Sequence, residues 1–135
     1  MLQSPHMKKM KRSLGFAVEG VTHAFTHERN VRLYFAGYVV VILLAIFVRL
    51  LTWEWLAIIL SGGMFFAVEL LNTALERLTD VIDENRKITG GSSFHMGLKH
   101  TKDVAAGASL VCLTMNIIVI GLVFWPYCLM LIKNI

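Results

Sequence analysis

Three long apolar runs organise this chain. They cover about residues 33–51, 53–78 and 103–132, the first reading "LYFAGYVVVILLAIFVRLL". Each meets the requirement of roughly 20 mostly apolar residues for a membrane-spanning helix. "TWEW" joins the first two and leaves room only for an interfacial turn. Its tryptophans suit the aromatic belt of a bilayer, where Arg49 can also snorkel. Residues 8–30 are patterned differently. Leu14, Val18, Val21 and Phe25 recur at helical spacing and form one apolar stripe. Ala17, Gly20 and Ala24 form a second stripe of small residues. With lysines in front, the segment predicts an amphipathic helix on the membrane surface, with one side flat enough for close packing. Residues 79–102 are polar, include "TGGSS", and read as a loop. The expectation is a single all-α integral membrane domain over residues 1–135, a surface helix followed by three transmembrane helices.

Composition agrees with the pattern. Hydrophobic residues make up 56% of the 135 and charged ones 16%, against about 45–50% and about 25% in a soluble domain. A net charge of +4 is small for a nucleic-acid binder, and no nucleic-acid partner is expected. The basic residues gather in two places. Lys8, Lys9, Lys11, Arg12, Arg29 and Arg32 lie near the start, and Arg77, Arg86, Lys87, Lys99 and Lys102 flank the long polar segment. Arg49 and Lys133 stand alone at the other side. The positive-inside rule therefore puts the N-terminus and the long loop on the cytoplasmic side of the membrane. Cys112 and Cys128 have no metal-site or disulfide spacing and read as small buried hydrophobes. A basic segment precedes the first apolar run, which argues against a cleavable signal peptide. Residues 1–7 carry no pattern that bears on the fold.

One stretch breaks the apolar logic. "FAVELLNTALERLTD", residues 66–80, carries Glu69, Asn72, Thr73, Glu76 and Asp80. At 3.6 residues per turn these share a sector of about 100° on one helix face. Gly62 lies on the same side, whereas Leu70, Leu71, Leu75 and Leu78 face elsewhere. Ionisable groups in a membrane helix are costly and usually mark a bundle interior or a functional path. Asn and Thr can join helices by hydrogen bonding, but glutamates on the same stripe serve that purpose poorly without cations. Carboxylates near the cytoplasmic boundary suit a hard divalent cation such as magnesium, and magnesium suits nucleotide phosphates. Lys102 and Asp103 stand at the mouth of the third span, where a lysine can hold phosphate or simply begin a solvated helix. The small residues of "AAGAS" follow and permit close approach to the backbone.

No P-loop, protein-kinase signature or Rossmann fingerprint occurs. A nucleotide would therefore be held by helix side chains near the membrane surface. A reading from another class is a small ion-transport or membrane-assembly subunit. Against it, transporters more often show repeats and broken helices at the midplane. A metal site at His23, His27 and Glu28 is a further alternative, although such histidines are more often interfacial polar residues.

"AVELLNTALERLTD" together with "KDVAAGA", and "GFAVEGVTHAFTHERNVRL" near the start, resemble the small integral-membrane lipid kinases of bacteria, the prokaryotic diacylglycerol kinase and undecaprenol kinase family. The likeness runs from about Lys8 to about Phe124. It implies phosphorylation of a membrane lipid alcohol by ATP with Mg2+, in a homotrimeric bundle. Position by position, it implies Glu69 as the catalytic base and Glu28 and Glu76 as metal ligands. Asn72, Lys102 and Asp103 match nucleotide-site residues, and Lys9 or Arg12, with Phe16, fall near the nucleotide region. His95 corresponds to a histidine of the family's nucleotide-site loop, but Ser93 stands where an acid is usual, and extra residues around 84–91 precede it. "ERNVR" and "KDVAAGA" look more like the prenol-kinase branch, so undecaprenol is the expected acceptor and diacylglycerol the alternative. Pro126, in "WPYC", is expected to kink or end the last helix.

Overall fold

The computed structural model describes residues 5–89 and 95–133, which form four helices: α1 (Pro5–His27), α2 (Arg29–Val48), α3 (Thr52–Ile88) and α4 (Met96–Lys133). Most of "TGGSS", including Ser93, lies outside the described residues. The last three helices are each long and apolar enough to cross a membrane. α3 has 37 residues. At 1.5 Å per residue it is about 55 Å long, well beyond a hydrocarbon core of roughly 30 Å. One end must therefore project into water, and the charged C-terminal part is the end that can.

The helix boundaries differ from the sequence expectation in three places. α1 ends at His27, and Arg29 already belongs to the first spanning helix. Glu28 between them is extended, at φ −100° and ψ 117°. The break is held by Arg32, whose guanidinium donates back to the Thr26 carbonyl at 2.8 Å and so satisfies a helix-end acceptor. Secondly, the loop expected over 79–102 is mostly helix. α3 continues to Ile88 and α4 starts at Met96. The Asp83–Lys87 ion pair at 2.7 Å, one turn apart, supports the extension. Arg86 and Lys87 in the last turn complement the helix dipole. The polar content of this segment reports water around it and not an irregular backbone. Thirdly, Pro126 does not end α4, which runs on to Lys133. The turn beyond it is anchored by Tyr127, whose hydroxyl donates to Glu54 at 2.6 Å.

The turn between α2 and α3 is tight. Arg49 takes a left-handed conformation at φ 58°. The Arg49 and Leu50 amides bond back to the Ile46 and Ala45 carbonyls, each at 3.2 Å. Leu50 then tucks into a core with Ala45, Ile58 and Val123, flanked by Tyr38, Trp55 and Tyr127. α3 and α4 pack along most of their length, whereas α1 touches α2 and α3 only lightly. Gly62 has a specific reason to be glycine. The Tyr38 ring lies against it, and a Cβ there would collide with the ring. That approach lets the Tyr38 hydroxyl donate to the Ile58 carbonyl at 2.8 Å.

Candidate active site

The polar face of α3 turns inward. Glu69, Asn72, Thr73 and Thr79 are all buried, and Glu76 is half-buried. Leu71, Leu75 and Leu78 are exposed on the other side. Glu69 is 4% exposed, and its Oε2 accepts a hydrogen bond from the Ser109 hydroxyl of α4. Among the described residues Oε1 has no hydrogen-bond partner, yet it is not among the fully enclosed unpartnered atoms. This oxygen therefore keeps contact with accessible space. One turn on, Asn72 donates through Nδ2 to Glu76 at 3.4 Å, a weak bond. Asn72 Oδ1 is fully buried and has no partner among the described residues. An orphaned oxygen beside a carboxylate is costly unless something else meets it.

Further toward the polar end, Asp80 pairs with Lys102 of α4. A cavity of about 180 Å³ opens there, lined by Thr79, Asp80, Asp83, His95, Lys99 and Lys102. His95 and Lys102 are thus brought together, with acids opposite. Asp103, the next residue on α4, is exposed.

The α1 side forms a second hollow of about 360 Å³. Phe16, Ala17, Gly20, His23 and Ala24 face Leu70, Thr73, Ala74 and Arg77 across it. The small-residue stripe of α1 therefore turns toward α3, and only Ala24 of that stripe is buried. Arg12 lies over the Phe16 ring, 5.4 Å from its centre. Lys9, Arg12 and Phe16 are exposed on α1. Glu28 is engaged by Arg77, whose Nη2 sits 2.7 Å from its carboxylate. Arg77 also donates to His23 Nε2, which requires that ring nitrogen to be unprotonated. Loss of solvation, then the neighbouring His27 and Arg77, hold His23 below its ordinary pKa of 6.5 against the opposing pull of Glu28. Among the described residues no three His, Cys, Asp or Glu side chains converge as a ready-made metal cluster.

Four of these contacts were not read from the sequence: Ser109 with Glu69, Arg77 with Glu28, Lys102 with Asp80, and Glu54 with Tyr127. One signal was available for the first. Ser109 and Asn116, both buried on α4, are one heptad apart, as Gly62 and Glu69 are on α3. Asn116 likewise reaches across, donating to Ser61 at 3.0 Å.

The sequence matches the prokaryotic diacylglycerol kinase family over residues 15–124. A relative named undecaprenol kinase, from Bacillus subtilis, is 32% identical over 120 residues, covering 89% of this chain and 91% of its own length. One named diacylglycerol kinase, from Synechocystis, is 35% identical over 114 residues, 84% of this chain. The chain spans only 61% of that second protein's length. The chain therefore belongs to the prokaryotic diacylglycerol kinase family. It is an all-α membrane protein and a lipid kinase, and the ion-transport reading gives way.

Proposed function

We propose that this lipid kinase transfers the γ-phosphoryl group of ATP to the hydroxyl of a membrane prenol, undecaprenol, with Glu69 as the general base. The observation that carries the reading is the setting of Glu69, a buried carboxylate with one oxygen held from α4, one turn from the orphaned Asn72 oxygen and the half-buried Glu76. In the reaction the acceptor oxygen gives its proton to Glu69 and forms a new bond to the γ-phosphorus. The bond from that phosphorus to the bridging oxygen breaks, and ADP leaves. Such transfer depends mostly on positioning and charge neutralisation, and a hydroxyl needs a proton acceptor in reach.

The residues present fit magnesium. Glu76 and the orphaned Asn72 Oδ1 supply adjacent hard oxygen donors. With Glu28, released from Arg77, they would hold the ion, which neutralises phosphate charge when bound. His95, Lys102 and Asp103 would meet the nucleotide from the α4 side, and Lys9, Arg12 and Phe16 from α1. On this reading the N-terminus and the α3–α4 connection face the cytoplasm, where ATP is.

Three spans and one lightly attached helix enclose little, and broad apolar faces of α2 and α4 are exposed. This supports a homotrimer in which neighbouring chains complete the site. A long prenol carries a single hydroxyl and no esters, so the apolar surroundings of Glu69 suffice for it. The near full-length match to the undecaprenol kinase of Bacillus subtilis points the same way. Diacylglycerol is the second reading, favoured by the family match and the Synechocystis relative. The test is phosphorylation of undecaprenol and diacylglycerol side by side in the same micelles with MgATP. A higher kcat/KM for undecaprenol is expected. A higher value for diacylglycerol overturns the acceptor, and transfer to neither overturns the reading.

A further inference from the structure

We propose that Ser109 is a positioning residue for the Glu69 base, holding Oε2 from α4 so that Oε1 is presented to the acceptor hydroxyl. The inference rests on the reading of Glu69 given above. Its ground is where the Ser109 hydroxyl goes. A hydroxyl inside a helix commonly bonds the carbonyl one turn back along its own helix. Thr22, Thr79, Thr101 and Thr114 all do so here. Ser109 instead crosses to α3 and donates to the carboxylate. It is 7% exposed and Glu69 is 4% exposed, so water competes little for the bond.

The neighbourhood offers no substitute. Ala105, Ala106, Gly107 and Ala108 precede Ser109 and carry no side-chain donor. No other side chain donates to Glu69 among the described residues. A glutamate has three rotatable side-chain bonds. With no donor on either oxygen it would sample several rotamers, and each would place the proton acceptor differently. A charge-assisted bond to one oxygen selects one rotamer. The other oxygen then has a fixed direction, and proton transfer is sensitive to such placement.

The experiment compares Ser109→Ala and Ser109→Thr in the full chain, in lipid micelles, each also combined with Glu69→Gln. Alanine favours helix, so α4 should form in the first variant; threonine keeps a hydroxyl and provides the control for repacking. Ser109→Ala should lower kcat about tenfold, with KM for MgATP and for the lipid unchanged, as loss of one aligning bond predicts. Ser109→Thr should recover most of that loss. In the Glu69→Gln background Ser109→Ala should cause no further loss, because the group it positions is already gone. Three outcomes overturn the proposal: a kcat close to wild type in Ser109→Ala; a raised lipid KM at constant kcat, which makes Ser109 an acceptor contact; or an equal further loss in the Glu69→Gln background, which makes its role structural. Wild-type turnover in Glu69→Gln alone removes the base itself, a failure distinct from these three.

Discussion

Glu54 and Glu69 lie on the same helix, and each is 4% exposed. About 22 Å of helix separates them. Their surroundings differ. Glu54 accepts the Leu51 amide at 2.7 Å and the Tyr127 hydroxyl at 2.6 Å, both on Oε2. It thereby closes the α2–α3 turn onto α4, next to the apolar core of Ala45, Leu50, Ile58 and Val123. Glu69 accepts one donor, on Oε2, and its Oε1, like that of Glu54, has no partner among the described residues; the neighbours of Glu69 along the helix are Asn72 with an orphaned oxygen and Glu76 with a weak bond. Burial alone does not separate a structural carboxylate from a chemical one. Bonds of Glu54 join segments of backbone and packing, whereas Glu69 stands one turn from a buried oxygen that has no partner among the described residues. The buried oxygen without a partner, Asn72 Oδ1, lies beside Glu69, and none lies beside Glu54 among the described residues.

The largest effect should come from Glu69→Gln. The amide keeps the size and can still accept from Ser109, but it is a far poorer proton acceptor. Turnover should fall by about 10²- to 10⁴-fold, while nucleotide affinity, measured by calorimetry or by a fluorescent analogue, stays near wild type. Near-normal turnover would erase the contrast between the two glutamates.

Glu54→Ala should do the opposite. It leaves the Leu51 amide and the Tyr127 hydroxyl without their acceptor, at a cost of about 1–3 kcal/mol. Thermal unfolding in detergent should report that loss, and kcat per folded molecule should stay unchanged. A strong fall in kcat with normal stability would place Glu54 in the chemistry and overturn the division. Next in size is Asn72→Ala. Removing the orphaned oxygen should raise the magnesium concentration needed for half-maximal turnover by about tenfold. An unchanged requirement would take Asn72 out of the metal reading and leave its buried oxygen without an explanation.

The two regions were also unequally legible in the sequence. The three spans could be read because a bilayer demands long apolar runs, and the inward turn of the acidic face because helical periodicity places Glu69, Asn72, Thr73 and Glu76 together. The ends of α3 and α4 could not, because residues 79–88 are polar and charged and still helical, held by local pairs such as Asp83–Lys87. Hydropathy separates membrane from water and does not separate helix from loop within water. Partners across helices were the hardest. Ser109 looked like one more small residue in "AAGAS", and Arg77 like one more basic residue flanking the long polar segment. Glu54 sat in a four-residue joint between spans and appeared only interfacial. Its bond to Tyr127 depends on α4 continuing past Pro126, where the sequence left a kink and an end both open.

The smallest expected effect concerns how α1 is held to α3, and it is a matter of pH. His23 accepts from Arg77, so the contact needs a neutral ring. Protonation would put a charge beside Arg77 and His27, with only Glu28 opposing them. The pKa of His23 is lowered from 6.5 in the folded protein. A histidine freed from this contact therefore binds a proton more readily than the docked one. Between the lowered value and 6.5 the detached state carries more protons, and stability of the docked state falls as pH falls through that window. Above 6.5 the contribution is fully present. His23 is exposed, so the effect on α1 should be modest. Hydrogen exchange of the α1 amides should therefore quicken as the pH falls below about 6.5, after correction for intrinsic rates, while α3 amides near Glu54 stay protected. His23→Gln, which keeps an acceptor but cannot titrate in this range, should remove the pH dependence. If exchange in α1 follows intrinsic rates alone in both proteins, the His23–Arg77 contact does not hold the helix, and the stronger Glu28–Arg77 pair is what tethers it.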